Sequence, residues 1–304
     1  MPHSDRPAND ARTALAFLAC TVIWGTTFLF IRIGNDTVPP MWAATLRLLL
    51  AALILTPLVH LVGQKLPEGS ALRAACGYGF FQFGINMPLL YWGETVVPSG
   101  LAAVVFATVP VTSALIARAF GLEKLVPAKL ADALVALAGV AVLFAHDLGA
   151  RVTALPLLAI YLATVAAAFG TVILKRGPRQ NPLGANAVGA AVGVPMCLLV
   201  SFAMREPHRL PTTWPEIVPI VYLAVAGSVV AFVVMAWLIQ RVDVSSVAFI
   251  GVAVPVIAVS LGVVVRHERF QLQHLLGSAL VMAGVALAIV SDRQRHRSSA
   301  KTSG

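Results

Sequence analysis

The sequence predicts an all-α fold: a polytopic membrane protein of ten transmembrane helices, arranged as two inverted five-helix repeats. Three observations predict it. Of 304 residues, 59% are hydrophobic and 12% charged, with mean hydropathy +0.86; a soluble domain carries about a quarter charged residues. Apolar runs of about 20 residues, the length that crosses a hydrocarbon core, recur along nearly the whole chain. Residues 145 positions apart repeat one another in several clusters. The scarcity of charge excludes a soluble globular domain and a disordered chain.

The spans follow in order. The first covers 13–33, after Arg12; it lacks a small-residue cleavage site, so it reads as a helix and not as a signal peptide. Asn35-Asp36-Thr37-Val38-Pro39-Pro40 ends it, and the second span runs over 41–62. Gly63-Gln64-Lys65-Leu66-Pro67-Glu68-Gly69 separates that from the third, 71–92. The fourth covers 99–119 and the fifth 127–146. The sixth, 152–174, stops before Arg176-Gly177-Pro178-Arg179, and the seventh covers 183–204. A polar loop from Arg205 to Trp214 leads to the eighth, 215–239; the ninth and tenth cover 244–265 and 271–291. At 1.5 Å per residue each crosses about 30 Å. Apolar residues run continuously instead of alternating, which favours helices over barrel strands. No connection is long enough to hold a soluble catalytic domain.

The net charge of +9 invites a nucleic-acid reading. The basic residues sit between apolar runs and at the ends, not on one accessible face, so no nucleic-acid partner is expected. They set orientation instead. With the N-terminus in the cytoplasm, inner segments hold about fifteen Lys and Arg against about six outside. Both termini are therefore expected in the cytoplasm of a multi-pass protein of the inner (plasma) membrane. The expected units are an N-terminal tail over 1–12, a first repeat over 13–146, a second over 152–291 and a basic, disordered tail over 292–304.

The repeat is explicit. Trp24-Gly25-Thr26 falls on Phe169-Gly170-Thr171, Trp92 on Trp237, and Pro110-Val111 on Pro255-Val256. Glu123-Lys124 falls on Glu268-Arg269, and Ala138-Gly139-Val140-Ala141 on Ala283-Gly284-Val285-Ala286. Five spans is an odd number, so the second unit enters the membrane from the opposite side. Inverted repeats are a frequent transporter architecture, with the solute site between them.

The chain resembles the EamA family of the drug/metabolite transporter superfamily over about residues 12–291. The resemblance rests on Trp24-Gly25-Thr26-Thr27-Phe28, Pro39-Pro40, Arg47-Leu48, Pro110, Gly121-Leu122-Glu123-Lys124-Leu125 and Ala138-Gly139-Val140 in the first half. In the second half it rests on Pro255, His267-Glu268-Arg269-Phe270, Leu276-Gly277 and Ala283-Gly284-Val285. It implies a ten-helix inner-membrane carrier, commonly an exporter of amino acids or related metabolites, with a central cavity between the halves. His267-Glu268-Arg269 departs from the usual Gly-Glu-Arg, and the loop Arg205 to Trp214 is longer than its first-half counterpart.

Eight residues are candidates for the solute site. Arg47 lies about two turns inside the second span; it could hold a substrate carboxylate, or snorkel to the interface. Trp24 and Thr27 share a face of the first span, where they could line a cavity or pack beside Gly25. Tyr78, Gln82 and Asn86 share a stripe of the third span, and two amides facing lipid would be costly, so that face should look inward. Trp237, like its repeat mate Trp92, could anchor at the interface or stack on solute. Tyr161 on the sixth span is the eighth candidate, and Tyr222 and Ser228 on the eighth span are lesser ones. Pro110 and Pro255 are expected to kink their spans. Glu123 and Glu268 read as loop carboxylates near helix starts.

Cys20, Cys76 and Cys197 lie in apolar runs without metal spacing, and no metal or cofactor is expected. No phosphate-binding loop occurs. No deep Asp or Glu stands out as a proton relay; Asp132 is the nearest. The expected function is a secondary transporter, not an enzyme, moving a small amphipathic metabolite by alternating access between two rocking halves. Its partners are a small solute, membrane lipids and a second copy as a homodimer. An exporter of amino acids or their derivatives is the leading reading. The alternatives are a membrane-embedded enzyme acting on a lipid-linked substrate, or an importer of a vitamin-like or nucleoside metabolite.

Overall fold

A computed structural model describes residues 11–121, 154–239, 249–267 and 275–284, with 131, 134, 135, 138, 139, 142, 272, 286 and 287. The regular structure among them is helical, with no strand. Lipid offers no hydrogen-bond partners, so a spanning segment must satisfy its own backbone, as these helices do. The elements of the first half are α1 (Ala11–Asn35), α2 (Pro40–Leu61), α3 (Gly69–Gly79), a π-helical segment (Phe80–Ile85), α4 (Asn86–Gly93), α5 (Ser99–Phe106) and α6 (Val109–Ala119). Those of the second half are α7 (Ala154–Arg176), α8 (Pro182–Ala203), α9 (Trp214–Ala224), a second π-helical segment (Val225–Val230), α10 (Ala231–Ile239) and α11 (Phe249–Arg266), followed by α12 (Leu275–Gly284).

Six stretches among the described residues are long and apolar enough to cross a membrane: α1, α2, Ser99–Ala119, α7, α8 and Trp214–Met235. The expected fifth span, both tails, Glu123, Asp132 and Glu268 fall largely or wholly outside the described residues.

The two π-helical segments echo each other. Phe80 matches Val225 and Ile85 matches Val230 under the same 145-residue shift, and α3 and α9 begin and end at matched positions as well. A π segment widens the helix by one residue per turn and is common at functional sites. The prolines differ in effect. The helix breaks at Ala107–Thr108, and Pro110 stands in the first turn of α6, where its missing N–H removes no helical bond. Its repeat mate Pro255 sits inside the continuous α11.

The halves interlock instead of lying side by side. α2 runs along α8, α1 packs on α10 and α11, α5 packs on α11, and α3, α4 and α6 pack on α7. One buried cluster draws Ile31, Leu48 and Tyr91 from the first half and Leu157, Ile160 and Leu223 from the second. α3 and α8 cross closely, and a Cβ on Gly79 would fall 2.6 Å from the Gly189 Cα. Leu53, Leu155 and Leu199 are exposed on the outer faces, which suits lipid contact.

Two helix starts of the second half carry local side-chain caps, Asn181 before α8 being one of them. Thr213 and Glu216 form a capping box at the start of α9, and the Glu216 carboxylate also pairs with Arg209. The start of α2 lacks a local cap. Its donors are met by Glu206 from the loop after α8, whose carboxylate accepts from the Met41 N–H at 3.1 Å and the Trp42 N–H at 2.8 Å. Ser201 and the Trp42 indole complete this strap, donating to Glu206 at 2.7 Å and to the Arg209 carbonyl at 2.7 Å. The extra length of the Arg205-to-Trp214 loop is thus used to cap a helix of the other half.

Candidate functional site

A cavity of about 410 Å³ lies between the two halves, within the usual range for a small-molecule site. α1 contributes Trp24, Thr27 and Phe28; α2 contributes Arg47; α3 and its π segment contribute Tyr78, Gln82 and Phe83; α4 contributes Asn86 and Leu90. From the second half come Thr171 on α7, Gly227 and Ser228 on the second π segment, Phe232 on α10 and Val254 on α11. Both π segments therefore face the cavity, and Gln82 and Gly227 are repeat mates. Aromatic pairs stiffen the wall: Trp24 meets Phe232 edge-on at 6.2 Å, Phe28 meets Phe106 at 5.6 Å, and Tyr78 meets Phe83 at 5.6 Å.

Arg47 is the one cationic side chain among the described lining residues, and none of them is acidic. It is only 4% exposed. Its Nε donates to Ser228 Oγ at 3.4 Å and its Nη1 to the Tyr91 hydroxyl at 3.4 Å, both long and both neutral. The side chain thus turns into the cavity, and the snorkelling alternative does not describe its position. A buried charge without an opposite charge is costly, by several kcal/mol in order of magnitude. Beside it, Gly227 leaves room: a Cβ there would stand 3.4 Å from Thr27 Oγ1 and 3.6 Å from Arg47 Nη2.

The lining hydroxyls have already committed their protons. Thr27 donates to the Ile23 carbonyl at 2.9 Å, Thr171 to Ala167 at 2.9 Å, and Ser228 to Leu223 at 3.0 Å. Tyr78 donates to Asn186 Oδ1 at 2.9 Å. The Asn86 Nδ2 donates to the Gln82 carbonyl at 3.0 Å. Arg47 remains as the charged donor facing the space.

Trp24, Thr27, Arg47, Tyr78, Gln82 and Asn86 are brought together here. Tyr161 and Trp237 are not among the cavity-lining residues; they pack against the buried core. Tyr222 stacks on Phe30 with ring centroids 3.9 Å apart, off the cavity, whereas Ser228 is a direct Arg47 partner. Sequence reasoning passed over Tyr91, which is 1% exposed and looked like one more apolar residue beside Trp92. It also passed over Glu94, fully buried at the end of α4. At this end Arg32 of α1 donates to the Glu94 carbonyl at 2.6 Å and the Val97 carbonyl at 3.3 Å, and Asn35 donates to the Tyr91 carbonyl at 2.9 Å. The C-terminal ends of α1 and α4 are tied together by these bonds.

The model of the EamA-like transporter family matches residues 11–145 and 154–290. This chain belongs to the EamA-like transporter family. Among its relatives, the inner membrane transporter YedA of Escherichia coli (strain K12) is 30% identical over 90% of this chain and 89% of its own. A protein of Salmonella typhimurium (strain LT2) named "Probable amino-acid metabolite efflux pump" is 28% identical over 94% of this chain and 97% of its own. A solved crystal structure covers 93% of this chain and 98% of its own with TM-score 0.57 and 22% identity, which shows a common fold. As an EamA-like protein the chain is a membrane transporter of small molecules, not an enzyme, and the two matched stretches are the family's two repeats.

Proposed function

We propose that this EamA-like protein is a secondary carrier that exports a small amphipathic carboxylate, an amino acid or amino-acid derivative, by alternating access. One observation carries the reading: a buried, positively charged Arg47 with neutral partners opens onto an apolar, aromatic-walled cavity between the halves. A carboxylate supplies the missing countercharge in a bidentate, charge-assisted pair, and the aromatic wall takes the apolar remainder. The Salmonella relative's name, an efflux pump for amino-acid metabolites, supports the solute class and the outward direction.

In this reading ten spans cross the inner membrane, both termini are cytoplasmic and the repeats are inverted. Because the packing crosses between halves, the moving groups are mixed: α1, α10 and α11 form one, α3, α4 and α7 the other, with the cavity between them. The break at Ala107–Thr108 falls where the Ser99–Ala119 stretch passes from α11 to α7.

Counterflow in proteoliposomes loaded with a panel of carboxylates, amines and neutral metabolites tests the proposal. Saturable flux of a carboxylate is expected; correctly folded protein that moves no solute of the panel contradicts it.

A further inference from the structure

The charge balance of the cavity goes beyond a preference for carboxylates. The described lining residues carry one positive charge and no negative one. A monoanion brings the loaded cavity to neutrality. A zwitterionic amino acid leaves one positive charge buried and adds an ammonium group without a carboxylate to receive it, which is unfavourable at low dielectric.

A second observation is independent of Arg47. Asn86 lines the same cavity and is 1% exposed. Its Nδ2 donates to the Gln82 backbone carbonyl, an acceptor that only the NH2 end of the amide can satisfy, so its Oδ1 is the free end. That Oδ1 has no hydrogen-bond partner among the described residues. A buried acceptor left unmet is unfavourable, and a ligand N–H would meet it. Trp24, Phe28, Phe83, Phe106 and Phe232 give the same cavity a large aromatic surface.

We infer that the preferred solute is an N-acylated amino acid with an apolar side chain: a carboxylate for Arg47, a neutral amide N–H for Asn86, and no ammonium. The inference rests on the transport reading above and deepens it. The acyl group does two things at once. It removes the positive charge of the amine, and it keeps one N–H to donate.

Four analogues of one side chain separate the contributions: N-acetyl-phenylalanine, phenylalanine, phenylalanine amide and 3-phenylpropanoate. Each is assayed as a competitor and as a counterflow substrate with the full-length protein in proteoliposomes. N-acetyl-phenylalanine is expected to be favoured over phenylalanine by at least about tenfold in half-saturating concentration, and phenylalanine amide, which lacks the carboxylate, to be excluded. 3-Phenylpropanoate should fall about tenfold behind N-acetyl-phenylalanine, the contribution of one met hydrogen bond. In Asn86→Leu that last gap should close, with folding checked separately by monodispersity and melting temperature; a gap that stays about tenfold in a folded variant overturns the role of Asn86. Equal or better transport of free phenylalanine, or any transport of its amide, overturns the inference and leaves the carrier reading standing. Absence of flux for every solute overturns both.

Discussion

Arg47 Nη1 lies 3.4 Å from the Tyr91 hydroxyl, and that long, neutral contact is one of two that hold a buried guanidinium. Tyr91 is itself 1% exposed, so the pair is buried apart from the cavity that Arg47 lines. Arg47 has two hydroxyls, which orient it and leave its charge available.

The first prediction follows from this imbalance. Removing a buried charge that makes no ion pair among the described residues relieves desolvation, so Arg47→Met should be at least as stable as the wild type, by an amount on the order of 1 kcal/mol. Thermal unfolding of the detergent-solubilised variant checks this. A clear drop in melting temperature would show that Arg47 is a structural residue.

Gly227 sets the free space beside the guanidinium. An added methyl would make ordinary contacts at 3.4 Å with Thr27 Oγ1 and 3.6 Å with Arg47 Nη2, so the fold should tolerate it. It would occupy the room a carboxylate needs. Gly227→Ala should raise KM for transport by about tenfold at unchanged melting temperature, as measured by initial-rate flux.

Arg32 ties α1 to α4 through the Glu94 and Val97 carbonyls. Two charge-assisted bonds to carbonyls contribute about 1.5–3 kcal/mol each at most. Arg32→Ala should therefore loosen that end and expose the buried, cavity-lining Leu90 position. Labelling of a cysteine placed at Leu90, in a background without Cys20, Cys76 and Cys197, by an impermeant thiol reagent should speed up several-fold.

Glu206 caps α2 from a different half of the chain. Glu206→Gln keeps the shape but weakens both charge-assisted bonds at a helix N-terminus, where negative charge is favoured. It should cost about 1 kcal/mol, seen as a fall of a few degrees in melting temperature, with transport retained at lower temperature.

Much of the fold was legible because lipid imposes a simple rule: a spanning segment must be apolar and helical, and its length is fixed. The amide stripe Tyr78, Gln82 and Asn86 was legible for the same reason, since polar groups on such a segment must look inward. The π segments were not legible. A shift of one residue in the hydrogen-bond ladder leaves no compositional trace at Phe80–Ile85 or Val225–Val230. Their equivalence only shows once the backbone is seen. Tyr91 was hidden because hydroxyl direction depends on helix rotation, which an apolar run does not encode. The Glu206 cap was hidden because its partners are 164 and 165 residues away. Tyr161 and Trp237 show the converse: aromatic residues on a span pack into the core as readily as into a cavity.

The most direct test of the central claim compares wild type with Arg47→Gln in proteoliposomes, using a carboxylate that the wild type transports. Gln keeps hydrogen-bonding capacity and removes the charge. If Arg47 supplies the countercharge, flux at low solute should fall by about a hundredfold with protein folded and inserted. Unchanged KM and maximal rate in Arg47→Gln would contradict the account.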